Sequence, residues 1–276
     1  MTEVEHVLGI GNQLGESPVW NAKKGVLLWV DIEGHCFHCF CPLTAQVETI
    51  DIGIPVCALG LAVDSAKLVV ATARGVAMWN WPDRSLEVIS PNPEQERPDS
   101  RFNDAAVDRQ GNFWVGSLGP GLESALYRLG SGRSLRKIDS GIGVSNGISW
   151  SPDNRTMYFT DSRRRVIFAY DFDESSSSIE NRRVLIEVSD GQGVPDGLTV
   201  DREGFLWSAR WGGATVARYD PAGRLEREVV LPVTYPTSCT FGGANLDELY
   251  ITSARSPLTA CGATGHFPTW NAPNFD

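Results

Sequence analysis

The sequence predicts an all-β fold, a six-bladed β-propeller, on three observations. One segment recurs about every 40 to 50 residues, Asp and Gly sit between short apolar runs, and long amphipathic helical patterns are missing. The clearest copies are Val107-Asp108-Arg109-Gln110-Gly111-Asn112-Phe113-Trp114-Val115-Gly116-Ser117 and Val200-Asp201-Arg202-Glu203-Gly204-Phe205-Leu206-Trp207-Ser208-Ala209. Weaker copies run from Trp150 to Thr160, from Val63 to Ala71, from Phe241 to Thr252 and from Trp20 to Asp31. In the two clearest copies, Asp-x-x-Gly supplies an Asx hydrogen bond and a residue free to take positive φ, so the flanking runs close as a hairpin. A third strand follows in most copies, as in Ala125–Leu129, Val166–Tyr170 and Thr215–Tyr219, each alternating as a two-faced strand should. Parallel α/β folds need helical crossovers, so the missing helical pattern argues against them. The serine-rich stretch from Glu174 to Ser178 reads as a surface loop, and no interdomain linker stands out. One propeller domain over 1–276 is expected, with 254–276 as an atypical tail.

Lys+Arg 24 against Asp+Glu 34 gives a net charge of -10, a field that repels nucleic-acid phosphates and anionic lipid headgroups. Neither nucleic acid nor a membrane is an expected partner. The N-terminal residues lack the basic start and apolar run of a signal peptide, so a cytoplasmic location is expected. Cys36, Cys39 and Cys41 cluster beside His35 and His38, yet no repeat-type zinc motif accompanies them. The run reads first as an outer strand whose small thiols suit a reducing compartment.

If the repeats are blades, equivalent positions form rings around a central channel. Four residues before Trp20, Val63, Val107, Trp150, Val200 and Phe241 stand Glu16, Leu59, Asn103, Asn146, Asp196 and Thr237. Four of these carry carboxylate or carboxamide oxygens at the start of the expected channel-lining strand. Carboxylates crowded away from water disfavour each other's charged form, and a divalent cation removes the conflict. Ligation through oxygen alone by Glu16, Asn146 and Asp196 suits a hard or borderline ion such as Ca²⁺, Mg²⁺ or Mn²⁺, with positions left for water and substrate. Asn146-Gly147 and Asp196-Gly197, taken singly, also read as turn dipeptides. Their shared ring position, and Glu16 before Ser17-Pro18, favour the site.

These segments carry a resemblance. Gly15-Glu16-Ser17-Pro18-Val19-Trp20, Arg101-Phe102-Asn103-Asp104, Ser145-Asn146-Gly147-Ile148, Pro195-Asp196-Gly197-Leu198 and Trp211-Gly212-Gly213 resemble, in order, the signature segments of the gluconolactonase and regucalcin (SMP-30) family, over about residues 8 to 255. The resemblance implies a six-bladed propeller and one divalent cation (Ca, Zn, Mn, Mg or Fe) on Glu16, Asn146 and Asp196. It further implies substrate contacts from Arg101 and Asn103, and hydrolysis of a sugar lactone to the aldonic acid. The cation would polarise the carbonyl while Asp196 assists water attack. Where some relatives carry a further substrate-contacting acid, this chain has Gly119-Pro120-Gly121, with Glu123 as the nearby substitute. The tail from Ala254 also departs from the family and carries no strand pattern. Closure of the ring is expected either from Val4–Ile10 pairing with the last blade or from an incomplete last blade.

Three other readings remain. Gly143-Val144-Ser145-Asn146-Gly147 fits the G-x-S-x-G of serine hydrolases, but a strand is expected to follow it and the only later histidine is His266. A phosphotriesterase acting through the same cation and a non-enzymatic calcium-binding propeller are both compatible with the ring.

Overall fold

The computed structural model describes residues 4–97 and 99–255 and forms them into antiparallel sheets arranged as blades around a channel. Blade I is β1 (Gly15–Asn21), β2 (Val26–Asp31), β3 (Cys36–Cys41) and β4 (Gln46–Asp51). Blade II is β5 (Val56–Leu61), β6 (Lys67–Thr72), β7 (Gly75–Asn80) and β8 (Ser85–Pro91). Blade III is β9 (Arg101–Val107), β10 (Phe113–Leu118), β11 (Ser124–Leu129) and β12 (Leu135–Ile142). Blade IV is β13 (Ser145–Trp150), β14 (Thr156–Asp161), β15 (Val166–Asp173) and β16 (Ser178–Glu187). Blade V is β17 (Val194–Val200), β18 (Leu206–Trp211), β19 (Thr215–Tyr219) and β20 (Leu225–Val230). The last repeat supplies only β21 (Pro236–Gly242) and β22 (Glu248–Ser253).

The expectation of six blades is therefore corrected: the propeller has five four-stranded blades, and the sixth repeat is a two-stranded sheet among the described residues. The repeat count was read from inner hairpins, and Phe241 to Thr252 supplies such a hairpin without the outer strands that complete a blade. This short sheet fills the sector between blades V and I, where β21 touches both β17 and β1. Trp20 stacks on Tyr250 at 5.6 Å, and Trp207 meets Phe241 edge-on at 5.9 Å. Closure by Val4–Ile10 is also corrected, because those residues form no strand. The ring closes instead through the Leu14↔Ala254 bridge, with Arg255 N–H donating to Gln13 O and the Thr237 hydroxyl donating to Gly15 O. Residues 256–276, including His266 and most of the atypical tail, lie outside the described residues. Among the described residues no helix is long and apolar enough to cross a membrane.

The repeated Asp locks each clear hairpin as the pattern predicted, and it does one thing more. Asp108 Oδ1 accepts from the Gln110 and Asn112 amides, and its Oδ2 accepts from Trp114 Nε1 at 2.9 Å. Asp201 repeats this with Glu203, Phe205 and Trp207. Gly111 and Gly204 take φ of 82° and 88° in these turns. One carboxylate thus satisfies the turn and lets an indole enter the packing between blades with its N–H paired. Replacing Asp108 with Ala strands the fully buried Trp114 N–H. We expect Asp108→Ala to cost about 2–4 kcal/mol, measured by urea unfolding; an unchanged midpoint would contradict this role.

Candidate metal centre and channel site

Innermost strands β1, β5, β9, β13, β17 and β21 pack side by side around the channel, and each carries a register shift near its start or faces one in its partner strand. The site residues stand at these irregularities. Asn146-Gly147 and Asp196-Gly197 are not turns: both pairs lie within strands, at the shifts between Asn146 and Ile148 and between Pro195 and Leu198. The glycines are required by close packing. A Cβ on Gly147 would approach Leu198 N to 2.5 Å, and one on Gly197 would meet Ser238 Oγ at 2.1 Å, so the neighbouring inner strand leaves room only for hydrogen. Ser17, after Glu16, takes a φ of 48° although it precedes a proline, a strained arrangement held by its surroundings. Its N–H donates to Glu16 Oε2 at 3.0 Å, and its hydroxyl accepts from Leu59 N, tying blade I to blade II.

Glu16 and Asp196, from blades I and V, are 7% and 6% exposed and lie close enough to repel each other electrostatically. Asp104 of blade III, missed in the sequence reading as a site residue, joins them. Burial and Asp104 push Glu16 up to about 8, partly offset by the Ser17 amide and Arg101. Burial pushes Asp104 up to about 6, against a hydrogen bond from the Ala105 amide. Burial, Glu16 and Asp104 hold Asp196 well above the usual carboxylate range. The signal for Asp104 was its place beside Asn103 at the shift between Phe102 and Ala105, where strand alternation no longer decides which of two adjacent side chains faces the channel.

Asn146 faces Asp196. Its Nδ2 donates to Ser162 Oγ at 3.1 Å, and that hydroxyl donates to Pro195 O at 2.6 Å, which fixes the amide so that Oδ1 is the free end. Buried Asn146 Oδ1 and Asp196 Oδ1 have no hydrogen-bond partner among the described residues. Two unsatisfied oxygens beside mutually repelling acids fit a hard or borderline cation, so the donor set matches the expected ion.

Arg101 is half-buried and near enough to Glu16 to favour its charged form. Its guanidinium donates to Phe102 O and to Asn103 Oδ1 at 2.8 and 2.7 Å, while Asn103 Nδ2 donates to Ser145 O of blade IV. Glu123 lies at the surface. Its side chain is 70% exposed, and its carboxylate is held by Arg97 at 2.6 Å. Ser145 is fully buried at the head of strand β13, with its Oγ in the space a Gly116 Cβ would occupy, so the G-x-S-x-G resemblance is no nucleophile elbow.

A family model described as the SMP-30/Gluconolactonase/LRE-like region matches residues 14–255. The chain belongs to that family. Similar proteins include regucalcin of Xenopus laevis, 34% identical over 91% of this chain and 87% of that protein. A Bacillus subtilis protein provisionally named a sugar lactone lactonase is 34% identical over 89% and 85%. The solved structure of a calcium-binding protein, regucalcin, from Agrobacterium tumefaciens superposes with a TM-score of 0.86 at 26% identity, covering 91% of this chain and 86% of that one.

The raised Glu16 value sets a pH dependence. Between the ordinary value of 4.5 and about 8 the folded state holds a proton that the unfolded state has released, so stability falls as pH rises through that window. Thermal melts of chelated protein should show a larger loss between pH 5 and pH 8 than melts of Glu16→Gln, and added Ca²⁺ or Mn²⁺ should recover stability at pH 8. Equal pH slopes in the two proteins would contradict the assignment.

Proposed function

We propose that this protein hydrolyses a sugar lactone to its aldonic acid in the channel mouth, with Glu16, Asn146 and Asp196 holding one divalent cation. The observation that carries this reading is the convergence of Glu16, Asp104 and Asp196 in a buried site with unsatisfied oxygens on Asn146 and Asp196. Family membership and the names of the relatives support it. When bound, the ion supplies Lewis-acid polarisation of the carbonyl.

The remaining work falls to side chains. Asp196 takes the proton of the attacking water, and in the metal-free protein burial, then Glu16 and Asp104, raise its proton affinity. That proton then goes to the ring oxygen as it leaves, and the product is the open acid. Arg101, oriented by Asn103 Oδ1, offers its remaining N–H groups to substrate oxygens. Glu123 we assign to the outer edge of the substrate site, through its pairing with Arg97. A cytoplasmic setting agrees with free thiols at Cys36, Cys39, Cys41 and Cys239.

The test is a panel of aldonolactones and organophosphate triesters, assayed after chelation and after return of Ca²⁺, Zn²⁺, Mn²⁺, Mg²⁺ or Fe²⁺. Lactone turnover should vanish on chelation and return with at least one ion. Asp196→Asn should lower kcat by about 10²-fold or more, and Arg101→Ala should act mainly on KM. Faster triester than lactone turnover, or full lactone activity in Asp196→Asn, would overturn the proposal.

A further inference from the structure

Blade I holds a second group of metal-ligating side chains, made of residues other than the channel acids. Asp31 ends β2, and Cys36 and His38 lie on one face of β3. Ligand atoms of all three fall within 4.8 Å of one another, and all three residues are buried. Cys39 and Cys41 alternate onto the other face, so the cysteine run divides and only Cys36 joins this group. We propose that Asp31, Cys36 and His38 bind a thiophilic divalent cation of the Zn²⁺ class, independently of the channel site.

Three observations support the proposal. Cys36 Sγ and His38 Nε2 are 3.6 Å apart. A tetrahedral ion with bonds of about 2.3 Å to sulfur and 2.0 Å to nitrogen sets those atoms about 3.5 Å apart. On the far side of the ring, His38 Nδ1 is 3.0 Å from Thr49 Oγ1; donation there leaves the Nε2 lone pair for a metal, the usual outer-shell arrangement of a ligating histidine. The ring packs on Trp29 at 4.8 Å, which fixes its plane.

The repeat supplies the strongest argument. Blade IV has the same local frame: Asp161 accepts from the Gly143 and Val144 amides as Asp31 accepts from those of Gln13 and Leu14. There Arg164 pairs with Asp161, and the positions matching Cys36 and His38 by strand register are Val166 and Phe168. Blade I has Gly34 in place of the arginine and two metal ligands in place of two core residues. The Asn12 amide nitrogen now donates to Asp31 Oδ2 at 3.2 Å and lies 2.8 Å from His38 Nε2, so it links the same two groups a cation would link. Asp51 adds negative charge at the thiol. An ion here would fasten Gln13 and Leu14, the residues through which the ring closes, to blade I.

The experiment is a Co²⁺ titration of reduced, chelated protein, read by visible and near-ultraviolet absorption. The proposal predicts one equivalent bound with tetrahedral d–d bands and a thiolate-to-cobalt charge-transfer band, and displacement of both by Zn²⁺. These signals should be absent in Cys36→Ser and His38→Gln and present in Asp196→Asn and Cys39→Ser. No thiolate band in the wild-type protein overturns the proposal whether or not the variants fold. So does a band that survives Cys36→Ser.

Discussion

Three carboxyl groups held out of water at one channel cannot all carry charge unaided, and much of the structure can be understood from that conflict. Folding alone would avoid the arrangement, since each buried acid costs free energy unless protonated or paired. Here Glu16, Asp104 and Asp196 come from three different blades, so the proximity exists only while the ring is closed. The conflict is a property of the assembled propeller, absent from any one blade.

Closure is correspondingly specific. Neighbouring blades are tied across their boundaries by side chains reaching backbone: Ser17 to Leu59, Asn103 to Ser145, Ser162 to Pro195 and Thr237 to Gly15. Several of these ties involve a site residue or its immediate neighbour. Asn103 both orients Arg101 and joins blade III to blade IV, so the placing of that guanidinium and ring integrity share one amide. Among the described residues the two-stranded last sheet suffices, because the inner strands alone define the channel and outer strands lie away from it.

Much of this was legible in the sequence. The period of the repeat gave the propeller architecture, and the Asp-x-x-Gly turns formed as expected at Asp108 and Asp201. Counting back along each inner strand brought Glu16 and Asp196 to one channel, because equivalent repeat positions must share a ring. The rest depended on information that periodicity does not hold. Blade number failed because an inner hairpin reads the same whether or not outer strands follow it. Asp104 was missed because the irregularity in β9 breaks the rule of alternating faces. The glycines after Asn146 and Asp196 read as turn formers, since a single sequence cannot show that a neighbouring strand crowds them. Glu123 followed from chain proximity to a short loop, and its pairing with Arg97 required coordinates.

The most direct measurement is anomalous diffraction from crystals of the protein grown with Mn²⁺. The expected map shows a channel peak ligated by oxygens of Glu16, Asn146 and Asp196, with Asp104 close by. A map with no channel peak, or with those three side chains turned from one another around an empty channel, would contradict it.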